Sequence, residues 1–150
     1  MAEVSFEVEG LPAPQGSHTA ISRGGKPALI PAGTSTSRKA FAVWRAAVAG
    51  AAADMVPDSG PLDGPLKVTV TFRFPMPQSR SSVVRRSGWA WRATKPDLDK
   101  LCRAVCDSLT QGGLIADDAR IVQLHAEKVE IANTWHGAEI TVAPCTGDWL

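Results

Sequence analysis

From Leu66 to Phe74 the chain alternates without a break. Leu66, Val68, Val70, Phe72 and Phe74 fall on one side, and Lys67, Thr69, Thr71 and Arg73 on the other. A period of two places all five apolar side chains on one face of a strand, so the fold must contain a sheet with one buried and one solvated face. Leu98, Leu101, Cys102, Val105 and Leu109 follow at helical spacing. They give one apolar stripe, the pattern of a helix packed on such a sheet. Asp97 suits the N-cap, and Gly112-Gly113 suits the stop.

The remaining elements build around these two. Val4, Phe6 and Val8 alternate with polar residues and end at Gly10 and two prolines, which predicts a strand. The segment from Gln15 to Pro31 is rich in Gly, Ser and Pro, and Arg23-Gly24-Gly25-Lys26 reads as a turn with basic flanks. Ser35 or Ser37 opens a helix to about Ala53, with Phe41, Trp44, Val48 and Ala52 as its apolar stripe. Residues 57–65 read as a loop. Two strands close the chain, at about 120–131 and 138–143. Residues 76–95 lack clear periodicity and read as a basic, flexible loop, a length that is usually functional or disordered. The order predicts one α+β domain over residues 1–150, a small mixed or antiparallel sheet with two packed helices. A chain of 150 residues suffices for one real core.

Several function classes drop out. No stretch approaches the roughly 18 apolar residues of a membrane helix. The first residues lack the basic-then-apolar order of a signal peptide. Cys102, Cys106 and Cys145 are odd in number and contain no CxxC pair, which argues against a disulfide framework and fits a reducing cytoplasm. His18, His125 and His136 are scattered over separate elements. No GxSxG elbow and no GxxxxGK phosphate loop occurs, so no nucleotide cofactor is expected.

The net charge is only +1, but it is unevenly spread. From Arg73 to Arg103 there are eight Lys or Arg and only two acids, a net +6, while the rest of the chain carries −5. Such clustering is the footprint of a polyanion partner or of a solvated loop. Trp89 and Trp91 sit among these arginines. They suit stacking on unpaired bases, or packing onto the domain or across a dimer.

Acidic pairs lie beside this basic segment. Inside a helix, positions i and i+2 point about 200° apart, but Asp97 precedes the helix that Asp99 enters, so the two can face one site. Asp117-Asp118 lies at the entrance to the next strand. Asp97, Asp99 and Asp118 would share a hard divalent ion if that helix and strand pack side by side. Each pair alone is equally a helix cap or a solvated turn. Acids set in a positive surface, however, are what metal-dependent cleavage of nucleic acid requires.

Asp97-Leu98-Asp99, then Cys106-Asp107-Ser108-Leu109-Thr110, Gly113, Asp117-Asp118, and Ile121-Val122 with Lys128, form an ordered series that resembles the RusA-type Holliday junction resolvases. The likeness is concentrated between Lys95 and Lys128. It implies a mixed α/β fold, a homodimer, dependence on Mg²⁺ (or Mn²⁺), and cleavage of four-way DNA junctions in a bacterial or phage-infected cell. By position, Asp97, Asp99 and Asp118 match the family's metal-binding aspartates. Arg103 stands where the family pattern has a catalytic lysine. Arginine keeps the charge but cannot give up a proton at neutral pH, so the match implies a phosphate clamp. Asp117 would support the acids, and Lys128 falls on a recurrent family position. Arg23, Lys26, Arg85, Arg86, Arg92, Lys95 and Lys100 are the expected DNA contacts. The alternatives are a branched-DNA-binding protein without catalysis, and an interaction domain that docks its basic loop on an acidic protein.

Overall fold

A computed structural model describes residues 3–16, 18–23, 26–31 and 35–146. In chain order it comprises β1 (Val4–Glu9), β2 (His18–Arg23), β3 (Lys26–Pro31), α1 (Ser35–Ala53), β4 (Leu66–Pro75), α2 (Ser82–Ser87), β5 (Trp89–Trp91), α3 (Leu98–Gln111), a 3₁₀ turn (Asp118–Arg120), β6 (Ile121–Ile131) and β7 (Gly137–Pro144). Five strands form one mixed sheet in the order β1-β7-β4-β6-β5, and β2 and β3 form a separate hairpin. The fold is α+β, and the mixed sheet follows from a single parallel pair, β4 with β6.

The alternation of β4 sets the two faces. Its apolar residues are at most 2% exposed. They pack under Trp44, Val48 and Ala52 of α1 and Leu101, Val105 and Leu109 of α3. The opposite face carries Thr69, Thr71, Arg73 and Glu139 and stays open. Helices α1 and α3 approach closely at Gly112, where a Cβ would collide with the Ala49 carbonyl.

Residues 76–95 depart from the expected loop. Ser81 caps α2 by accepting the Val84 amide at 3.3 Å, and Gly88 ends it in the left-handed region at φ 85°. The three residues of β5 then pair antiparallel with Val129–Ile131 at the sheet edge. Neither piece was visible as a pattern, because α2 buries no residue and β5 has only three. The basic turn became the β2–β3 hairpin, with Arg23 opposite Lys26. Gly24 and Gly25 lie outside the described residues.

Gly137 joins two strands at once, facing Glu9 on β1 and Arg73 on β4. Its φ is 145°, and a Cβ there would run into the Val8 carbonyl. Gly137→Ala should therefore cost about 2 kcal/mol or more, as strain and a broken β1–β7 edge combine. Urea unfolding checks this. An unchanged midpoint would contradict the close approach.

Candidate active site

Helix α3 and strand β6 run antiparallel to each other, and two sets of contacts fix this. At the start of α3, Lys128 Nζ donates to the carbonyls of Thr94 (2.8 Å) and Pro96 (2.7 Å). At its end, the Thr110 hydroxyl donates to Asp118 Oδ1, just before β6 begins. Asp97 and Asp99 thus stand at one end of α3, and Asp118 at the other. Asp99 and Thr110 are eleven residues apart on the helix, about 16 Å along its axis.

The segment presenting Asp97 is held by cations. Besides Lys128, Arg92 Nε donates to the Lys95 carbonyl at 3.0 Å. Arg92 also reaches Glu130 at 3.2 Å and lies 4.5 Å above the Phe74 ring. Glu130 is 1% exposed and takes a second arginine, Arg80, at 2.6 Å. A buried carboxylate is stable when paired and hydrogen-bonded on both oxygens, and this one is. Asp97 occupies the N-cap with extended backbone (φ −67°, ψ 135°), yet its side chain makes no cap bond. Its carboxylate lies 3.6 Å from Lys100 Nζ instead. Pro14, Lys95, Asp97 and Lys100 line a hollow of about 340 Å³. Gln15, next to Pro14, holds a buried Oε1 with no hydrogen-bond partner among the described residues.

Asp99 and Arg103 belong to another hollow. With Leu98, Cys102, Cys106 and Leu124 they line an open groove of about 640 Å³ between α3 and β6. Farther along the same helix face comes Asp107, eight residues after Asp99. Its carboxyl is pushed up by burial, and further by hydrogen bonding to Asp118 and by that residue's charge, while Arg45 and Arg103 pull it down. Two carboxylates in hydrogen-bond reach repel unless a proton or a cation lies between them. Asp117 caps the 3₁₀ turn by accepting the Ala119 amide at 3.3 Å.

Among the described residues, no three His, Cys, Asp or Glu side chains stand close enough to hold a metal ion. The donor chemistry suits a hard divalent ion, but one chain divides its carboxylates between the two ends of α3 and does not fit such an ion by itself.

The expected DNA contacts separate into groups. Arg86, Lys95 and Arg103 are exposed. Arg85 is partly covered and donates to the Pro77 carbonyl at 2.9 Å. Arg92 is turned inward on Glu130. The side chains of Arg23 and Lys26 lie outside the described residues. Trp89 and Trp91 pack edge to face, with centroids 5.1 Å apart. Opposite Ile131 and Val129, they share the sheet face of Arg73, away from α3.

Sequence reasoning missed Glu130 and gave Asp107 and Lys128 no role. Asp107 had a signal, since Asp99, Arg103 and Asp107 recur every four residues on one helix face. Glu130 had a weaker one, a lone acid between Val129 and Ile131. The thiols in the groove are electronically quiet. Burial first, and Asp99 second, push Cys102 up to about 11. Burial first, then Cys102, Asp118 and Asp107, push Cys106 up to about 12. At pH 7.5 both should react with iodoacetamide more slowly than free cysteine by roughly 10²-fold or more, because the thiolate is the nucleophile. Peptide mapping after timed alkylation reads this, and labelling at the rate of free cysteine would contradict it.

Comparison with known proteins identifies the family. The family model described as endodeoxyribonuclease RusA matches residues 10–143. A Lactococcus phage r1t protein named crossover junction endodeoxyribonuclease rusA is 35% identical over 77 residues, which is 51% of this chain and 54% of that protein. The chain thus spans about half the length of this curated relative. With the family model covering nearly the whole domain, the chain belongs to the RusA endodeoxyribonuclease family.

Proposed function

We propose that this chain is an endonuclease that resolves four-way DNA junctions as a homodimer, dependent on a divalent ion, Mg²⁺ with Mn²⁺ as a substitute. The observation that carries this reading is the entrance of α3. There Asp97 makes no cap bond, Asp99 follows in the first turn, and Lys95, Lys100, Arg103 and Lys128 surround them. Carboxylates in a phosphate-binding surface repel the substrate unless a cation neutralises them, so a pure DNA-docking role gains nothing from these acids. The name of the phage relative supports the same substrate class.

Hydrolysis adds a water oxygen to phosphorus and breaks one phosphate ester bond, leaving a phosphate monoester and a sugar hydroxyl. Asp97 and Asp99 would hold the divalent ion, with Asp118 as the further family carboxylate, and the ion would supply a lowered water pKa and charge neutralisation. The chain's own cations position the substrate. Arg103 lies one helical turn from Asp99, within reach of a phosphate held beside it. As a permanent cation it stabilises charge and transfers no proton. Arg85, Arg86, Lys95, Lys100 and the hairpin residues Arg23 and Lys26 extend the phosphate track. Arg92 serves by holding the Lys95 carbonyl. The protein works where the DNA is, in a bacterial cytoplasm or a phage-infected cell.

A labelled four-way junction beside a linear duplex, with and without Mg²⁺, tests the reading. Wild type should nick the junction only with the ion. Asp97→Asn and Asp118→Asn should abolish nicking while keeping or tightening binding. Arg103→Lys should retain much of the activity, and Arg103→Ala should lose roughly 10²–10³-fold, as for one preorganised donor. Wild-type protein that binds junctions without ever cutting them would favour the non-catalytic reading instead.

A further inference from the structure

Strand β5 puts two indoles on the sheet face away from α3. Trp89 and Trp91 flank Ala90, and alternation along the strand turns both rings to the side of Val129 and Arg73. The rings are 46% and 58% exposed. Their planes meet at 89°, with centroids 5.1 Å apart. Two perpendicular rings cannot both lie flat on a sheet, so at least one stands up from it. Trp135 also lies over this face, but the Arg73 guanidinium already covers it, 4.1 Å from the ring centroid. Trp44 belongs to the core. Trp89 and Trp91 are thus the indoles left open among the described residues.

The backbone beneath them is fixed. The Gly88 carbonyl accepts the Ala132 amide at 3.0 Å, and the Arg92 amide donates to the Lys128 carbonyl at 3.1 Å. The Trp89 carbonyl accepts the Ser87 hydroxyl at 3.1 Å, and the Trp91 carbonyl accepts Arg80 Nη2 at 3.2 Å. Rings preset on a rigid strand lose little freedom when a ligand lands on them. The surrounding charge is positive, since residues 76–96 hold five Lys or Arg and no acid. Helix α2, which leads into Trp89, carries Arg86 exposed and Arg85 partly covered. Of the acids on the same sheet face, Glu139 is paired with Arg73 at 3.2 Å, and Glu127 accepts the Thr71 hydroxyl at 3.4 Å.

We propose that Trp89 and Trp91 form a stacking platform for unpaired bases of single-stranded DNA, with Arg85 and Arg86 beside it for the phosphates. Every base has a π-face, so indoles take unpaired bases without reading their sequence. In a duplex those faces are covered by the neighbouring base pairs, so the platform selects unpaired nucleotides. An apolar protein surface would use the rings and leave the cations unmatched. A second copy centred on this pair would bring the cations of both α2 helices together, and like charges facing each other oppose association. The platform lies on the opposite sheet face from Asp97 and Asp99, so it stands whether or not those acids cut DNA.

Equilibrium binding of the full chain in EDTA tests this, since stacking needs no metal ion. The probes are a strand of about 12 thymidines and an abasic strand of equal length, which keeps the phosphates and lacks the bases. Wild type should bind the thymidine strand roughly tenfold or more tightly than the abasic strand, with quenching of tryptophan fluorescence. Trp89→Leu with Trp91→Leu should bind both strands equally, at the wild-type affinity for the abasic one, with unchanged sedimentation and circular dichroism. Trp89→Phe with Trp91→Phe should keep most of the preference, because a phenyl ring stacks and leucine does not. Equal binding of the two strands by wild type would overturn the platform without any variant being needed. A leucine variant that keeps the preference, or that matches the phenylalanine variant, would overturn it as well. A leucine variant with a changed oligomeric state would make this face a contact between copies and overturn the assignment to DNA.

Discussion

Two parallel strands cannot be joined by a tight turn, and this constraint shapes everything near the acids. The pairing of β4 with β6 forces the chain to leave the sheet and return, and α3 is the body of that crossover. A crossover helix runs against the strands it connects. Asp97 and Asp99, which begin it, and Asp118, which follows it, are therefore carried to opposite ends of one helix. The same crossover leaves β6 near the sheet edge, with only three residues of β5 beyond it. Separation of the acids and exposure of the edge are thus two results of one topological fact.

The crossover also explains how a strongly basic segment stays in place. Eight cations against two acids would repel one another if left in a loose loop. Glu130 counters this from inside the sheet, joining Arg80 and Arg92 across the two ends of the excursion. Lys128, two residues earlier on the same strand, holds the carbonyls that precede Asp97. Strand β6 thereby sets the position of α3's first turn with one acid and one base. Cations paired inside the structure leave less exposed positive charge than the composition suggests. Arg86, Lys95 and Arg103 remain exposed.

What the sequence reveals follows the range of the interactions involved. The alternation of Leu66–Phe74 and the stripe of α3 were legible because burial imprints a local period on the residues themselves. Strand β5 left no such imprint, since its three residues are held by Val129–Ile131, some forty positions away. Proline at 27 and 31 hid strand β3, although the turn before it was plain. The candidate acids were readable as residue types at element edges, and the family series gave them an order. Their placement was not readable, because it depends on which way the crossover runs. The pairing of Arg92 with Glu130 was unreadable for a similar reason: the two lie 38 residues apart, and Glu130 carries no periodic signal.

The proposed role of the α3 entrance turns on whether Asp97 and Asp99 hold a divalent ion. Calorimetric titration of the full chain with Mn²⁺ measures this most directly. Wild type should bind the ion, and Asp97→Asn and Asp99→Asn should each weaken that binding. Equal affinity in wild type and both variants would contradict the role.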